Sequence, residues 1–136
     1  MFAACVMCAC EKSRFDMEVK ELCAKDGGVR IHETVNFPPE KFDQFGDIRL
    51  PTMNSAGPND DYYEEWIATH LHEGNPSMRR DQFMVVRRAD KKVLGEAVSY
   101  SRRGGDIPGP WHESSFRCPP NSDDIALRRA IFLKTQ

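Results

Sequence analysis

Hydrophobic positions change their period along this chain, and the changes mark out its elements. Phe15, Val19, Leu22 and Cys23 recur at helical spacing, Ser13 stands where a cap would, and Gly27-Gly28 offers a stop. Together they predict a helix over 14–25. In VRIHETVNF, Val29, Ile31, Val35 and Phe37 alternate with Arg30, His32, Thr34 and Asn36. Only Glu33 breaks the apolar side, so residues 29–37 read as one half-buried strand. Pro38-Pro39 ends it, and 40–61 reads as a long connection with one helical turn over 40–45.

Residues 62–73 (YYEEWIATHLHE) fit both periods. Tyr62, Tyr63, Trp66, Ile67, His70 and Leu71 could line a helix face, whereas the aromatic content and the turn at Gly74-Asn75-Pro76 fit a strand entering a hairpin. Strand is preferred because two clear strands follow, 81–88 and 93–102, joined by a turn too short for anything but antiparallel pairing. Residues 104–120 are rich in Gly and Pro and read as a loop. The tail from 125 to 134 reads as a helical turn passing into a last strand. These parts predict an α+β fold, with an N-terminal helix packed on an antiparallel β-meander of about four to five strands.

Composition narrows the class. The 136 residues are 40% hydrophobic and 29% charged, as in a single globular domain. A net charge of −2 argues against nucleic acid as the partner. The charge is uneven: residues 1–78 carry seven Lys/Arg and fourteen Asp/Glu, residues 79–136 twelve and seven. Attraction between the two halves of one fold is the simpler reading, and a basic face for an anionic partner is the sharper one. Four Arg-Arg pairs (79–80, 87–88, 102–103, 128–129), three of them near the ends of the expected meander strands, read as solvated strand ends, since neighbours on a strand point to opposite faces; the rival reading is recognition of a phosphate or carboxylate polymer.

The cysteines divide into Cys5, Cys8 and Cys10 near the start, and Cys23 and Cys118 apart. Residues 1–9 are uncharged and mostly apolar, and they stop abruptly at Cys10-Glu11-Lys12. That resembles the end of a secretory or lipoprotein signal, with Cys10 (alternatively Cys5) as the lipidated residue. The expected division is a leader over 1–12 and a single α+β domain over 13–136. The rival is a cytoplasmic metal-binding module built on Cys5, Cys8 and Cys10, which lacks a plain fourth ligand. His70 and His72, like His32, are read as solvent-facing, and no metal or other cofactor is expected.

The densest stretch is 101–119. A small hydrolase would pair His112 with Glu113, Ser114 or Ser115, but the spacing matches no nucleophile elbow, and Gly104-Gly105 belongs to no phosphate-loop motif. The alternative is a binding loop carrying Arg103, Gly104, Gly105, Asp106, Trp111 and His112, stiffened by Pro108 and Pro110, with Trp111 as anchor or as core cap.

LCAKDGG at 22–28, ETV at 33–35, PPEKF at 38–42 and LGEAVSYSRRGGDIPGPWHESSFRCP at 94–119 together resemble a group of small uncharacterised bacterial exported or lipoprotein-like proteins. The resemblance implies export and a Cys23–Cys118 disulfide, and it implies no catalytic residue. Cys23 and Cys118 are also the only cysteines outside the leader, each near an expected core residue, Leu22 or Phe116. The expectation is therefore a non-enzymatic, lipid-anchored periplasmic protein that binds or inhibits a protein or an envelope polymer.

Overall fold

The protein is described here by a computed structural model. It covers residues 2–106, 109–110 and 112–136, with side chains described from residue 10 onward. Helix α1 (Phe2–Asp26) is followed by β1 (Gly28–Ile31), β2 (Val35–Phe37) and a short 3-10 turn (Pro39–Lys41). After a long loop come β3 (Tyr62–His72), β4 (Ser77–Arg87), β5 (Lys92–Arg103), β6 (Ser115–Cys118), α2 (Asp124–Ile131) and β7 (Phe132–Lys134). The main sheet is antiparallel in the order β1-β5-β4-β3, with β6 also on β5, so the fold is α+β as expected.

Several elements depart from the sequence reading for identifiable reasons. Helix α1 starts at Phe2 rather than after Ser13. Residues 2–12 contain neither Gly nor Pro, so nothing stops a helix nucleated further along. The helix runs unbroken across the boundary drawn between 12 and 13.

The expected strand 29–37 is two strands. β1 pairs antiparallel with β5 in the main sheet, while β2 pairs parallel with β7 in a separate ribbon. Between them the amides of His32 and Glu33 both donate to Leu94 O, and Glu33 leaves the apolar side to meet Arg87 at 2.6 Å. The carboxylate that broke the pattern is the point where the strand breaks.

Each face of the sheet has its own helix. Phe15 and Val19 of α1 are buried, and Val19 joins Met78, Val98 and Tyr100, with Leu22, Phe116 and the disulfide sulfurs packed alongside. On the other face Leu127 and Ile131 of α2 meet Ile48, Val85, Leu94, Ala97 and Phe132. Asp123 caps α2 by accepting from the Ala126 amide at 2.9 Å.

Cys23 and Cys118 are disulfide-bonded, with Cα atoms 6.0 Å apart and 95 residues between them in sequence. The bond ties the end of α1 to β6. A side chain at Gly27 would press into Pro119 Cδ at 2.7 Å, so only glycine lets the helix end approach so closely.

At the same helix end, Asp26 accepts from Arg80 Nε (2.8 Å), Tyr100 Oη (2.5 Å) and Arg30 (3.2 Å). The Arg80 hydrogen bond, helped by Tyr100 and Arg30, outweighs burial and holds the Asp26 carboxyl down to about 2, from 3.8.

Two outcomes follow. Closing a 95-residue loop is worth at most about 4 to 5 kcal/mol, so Cys118→Ser should lower unfolding free energy in urea by up to that amount. Asp26 has its folded pKa depressed, so its contribution is complete above pH 4 and is lost as pH falls toward 2. Stability measured across that window should fall more steeply for the wild type than for Asp26→Asn.

Candidate functional site

Alternation along the strands decides which polar groups share a surface. On the α1 side lie Arg80, Tyr100 and Arg102; on the α2 side lie Arg79, Asp81, Ser99, Ser101 and Arg103, one register step away. The pairs 79–80 and 102–103 are thereby split. Arg102 is buried, donating to Asp16 at 2.5 Å and to Gly104 O at 2.6 Å, and Arg80 reaches Asp26. Arg128 of the last pair is also buried, bonded to Asp47, Glu64 and Asp124. The solvated strand ends expected for these pairs are corrected for these three: acidic partners on α1, the 43–61 loop, β3 and α2 draw them in.

Helix α2 covers only part of its face, near β1 and the start of β5. The other part is open and polar. Register places Arg117 of β6 beside Ser101, and Arg117 Nη2 donates to the buried Ser99 Oγ at 3.0 Å. His70, Ser77, Arg79, Ser101 and Arg103 line a cleft of about 250 Å³ next to them.

The wall of this cleft is built on Asp81, whose carboxylate is buried. Its two oxygens accept from Trp66 Nε1 (2.9 Å) and Arg79 Nε (3.1 Å). Trp66 lies flat against Phe83, ring centroids 6.0 Å apart, and the Arg79 guanidinium sits 5.8 Å from the indole centroid. Arg79 is therefore fixed from two sides. Arg103 donates to Glu113 at 2.8 Å but is 74% exposed. Arg117 is exposed and has no carboxylate partner among the described residues. Three guanidiniums thus meet two carboxylates, leaving excess positive charge beside three serine hydroxyls.

The sequence-based binding loop is only partly brought to this surface. Arg103 belongs to it. Gly104 and Gly105 take left-handed backbone (φ +82° and +79°), and their amides donate to Ser114 O and Asn75 Oδ1. Asp106 is a latch: it accepts from the Ser114 amide and hydroxyl (2.7 and 2.5 Å) and from Lys12 of α1 (2.9 Å). Those bonds, the Ser114 hydroxyl first, hold its carboxyl well below the usual range. His112 is exposed, and Trp111 lies outside the described residues.

The hydrolase arrangement is not assembled by these contacts. The Ser114 hydroxyl is engaged by Asp106 and Arg102 Nη1, and Glu113 by Arg103. Cys10 is an exposed free thiol, and the side chains of Cys5 and Cys8 lie outside the described residues. Among the described residues no cluster of three or more His, Cys, Asp or Glu could hold a metal. The register slips between His70 and His72, so His70 lines the cleft while His72 packs edge-on against Phe15 at 4.8 Å.

Sequence reasoning missed Arg79, Arg117 and the serines. The signal was present as a period-two run of small or charged residues, S77-x-R79-x-D81 and S99-x-S101-x-R103, but it points to one surface only after the strands are in register.

The fold defines the class, a disulfide-bonded α+β domain with its antiparallel sheet between two helices. No family model, curated protein or solved structure matches the chain. Its functional reading rests on the geometry above.

Replacing His112 with Ala should change unfolding free energy by less than about 0.5 kcal/mol. Ser114→Ala, which removes a link between Arg102 and Asp106, should cost about 1 kcal/mol. Urea denaturation of the two variants checks the contrast.

Proposed function

We propose that this protein is a non-enzymatic binding protein of the bacterial cell envelope. Its open sheet face captures a carboxylate- or phosphate-bearing envelope polymer. The observation that carries the reading is the division of the arginines. Arg80, Arg102 and Arg128 are spent on internal carboxylates, whereas Arg79, Arg103 and Arg117 stand on one face with Ser77 and Ser101, the buried Ser99 beneath holding Arg117. A planar guanidinium fork suits carboxylate and phosphate oxygens, and hydroxyls complete the hydrogen bonding.

The Cys23–Cys118 disulfide supports an oxidising, extracytoplasmic setting, because such bonds are rarely kept in a reducing cytosol. A lipid at Cys10, or alternatively at Cys5, is the finer part of the proposal. The contacts of α1 described above begin at Lys12, so a chain processed at Cys10 would keep them.

Binding is tested with two polymers, polygalacturonate for carboxylate and inorganic polyphosphate for phosphate, titrated at low salt. One of them should bind, with affinity falling as salt rises. The double variant Arg103→Ala/Arg117→Ala should weaken it at least about tenfold, or ~1.4 kcal/mol. Arg129→Ala, exposed on the outer side of α2, should not. Absence of binding to both polymers, or equal binding by the double variant, would refute the proposal.

A further inference from the structure

Register sets His70 at the end of a row that crosses four strands. His70 of β3 stands opposite Arg79 of β4, Arg79 opposite Ser101 of β5, and Ser101 opposite Arg117 of β6. Directly opposed residues share a face, with Cβ atoms about 5 Å apart. Neighbouring strands lie about 4.8 Å apart, so the row runs about 14 Å across the sheet. His70 also lines the same cleft as Arg79 and Arg103.

The groups facing His70 come from three strands and one loop. From β4 it meets Arg79, whose guanidinium is bonded to the buried Asp81. From β5 comes Arg103, bonded to Glu113 of the 104–114 loop. From β6 comes Arg117, which has no carboxylate partner among the described residues. His112, next to Glu113, is exposed, and so is Glu73 in the turn after β3. His72 lies past the register slip and packs on Phe15 of α1.

Two of the three guanidiniums are therefore matched by carboxylates. The face keeps one net positive charge while His70 is neutral, and a proton on His70 doubles it.

We infer that His70 is a further binding residue of this face, and that its protonation controls capture of the anionic polymer. The inference rests on the binding role proposed above. A neutral imidazole has one N–H to donate; the protonated ring has two and a charge beside Arg79. Histidine is the side chain whose ordinary titration falls between about pH 5 and 8, whereas arginine stays charged throughout. On the empty face Arg79 and Arg103 oppose a proton on His70, and an anion held among them favours it. Linkage gives the sign. A polymer that draws a proton onto His70 binds more tightly as pH falls through the histidine range, and that gain is lost as pH rises.

Polygalacturonate and inorganic polyphosphate are titrated at low salt at about pH 5.5 and about pH 7.5, on either side of the ordinary histidine value. The polymer that binds should do so about fivefold more tightly at the lower pH, the effect of one added unit charge at contact distance in water. His70→Gln keeps a polar side chain without the proton, so it should lose most of this pH dependence. His70→Lys is charged at both pH values, and should bind at the higher pH about as tightly as wild type does at the lower. The imidazole resonance missing from either variant identifies His70 by NMR, and its titration midpoint should rise when the polymer is added.

Equal wild-type affinity at both pH values would overturn the inference while the binding proposal stands. So would a pH response retained by His70→Gln, one abolished by His112→Ala instead, or a His70 midpoint that the polymer leaves unmoved. Binding of neither polymer at either pH would overturn the binding proposal and this inference with it. Should His70→Gln fail to fold, the wild-type affinities, His70→Lys and the His70 midpoint decide.

Discussion

Strand β5 is buried on both of its faces, and the architecture is arranged around that requirement. Leu94, Ala97, Val98 and Ser99 have no exposed surface, and Tyr100 and Arg102 are nearly as enclosed. A strand in that position needs a cover above and below, and it needs neighbours for its backbone. The chain supplies α1 on one side and α2 on the other, with β1, β4 and β6 as neighbours. Burying each leucine- or valine-sized side chain contributes roughly 1.5 to 3 kcal/mol, so the assembly of both helices on β5 outweighs their modest intrinsic helical stability. The disulfide then holds α1 on its face through β6.

The second force acting on the fold is charge. The basic second half of the chain reaches back to the acidic first half: Arg80 to Asp26, Arg87 to Glu33, Arg102 to Asp16 and Arg128 to Asp47. Arg128 gathers the 43–61 loop, β3 and α2 on one guanidinium. Among its partners Glu64 is pushed up by burial, whereas Arg128 holds Asp47 down. Desolvation offsets much of the attraction in such buried clusters, so their main effect is on which segments meet. Among the described residues no buried side-chain polar atom lacks a partner.

What remains outside is set by what has been used inside. Once Arg80, Arg102 and Arg128 are committed to internal carboxylates, Arg79, Arg103 and Arg117 are left on the part of one face that α2 leaves open. The eight-residue α2 is too short to cover that whole face. The same economy of covering leaves β3 with an open edge beside it. A fold of this kind implies no particular chemistry, and the functional reading belongs to that surface.

Local periodicity was enough to place the N-terminal helix, the long antiparallel strands of the hairpin, the short helix running into a last strand, and the α+β class. These depend on how each segment alternates polar and apolar groups, which is written in consecutive residues. The pairing of Cys23 with Cys118 was legible because no other cysteine lay outside the first ten residues. The parting of β1 from β2, the strand at Ser115–Cys118 and the start of α1 at Phe2 were not legible. Each depends on a contact distant in sequence or on the absence of a stop signal. The candidate face was least visible of all: Arg79 and Arg80 are neighbours in the chain, and only the register of β4 on β5, with α1 covering one side, sends one inward and leaves the other in water. A strand's pattern fixes which residues share a side, and tertiary packing decides which side is buried.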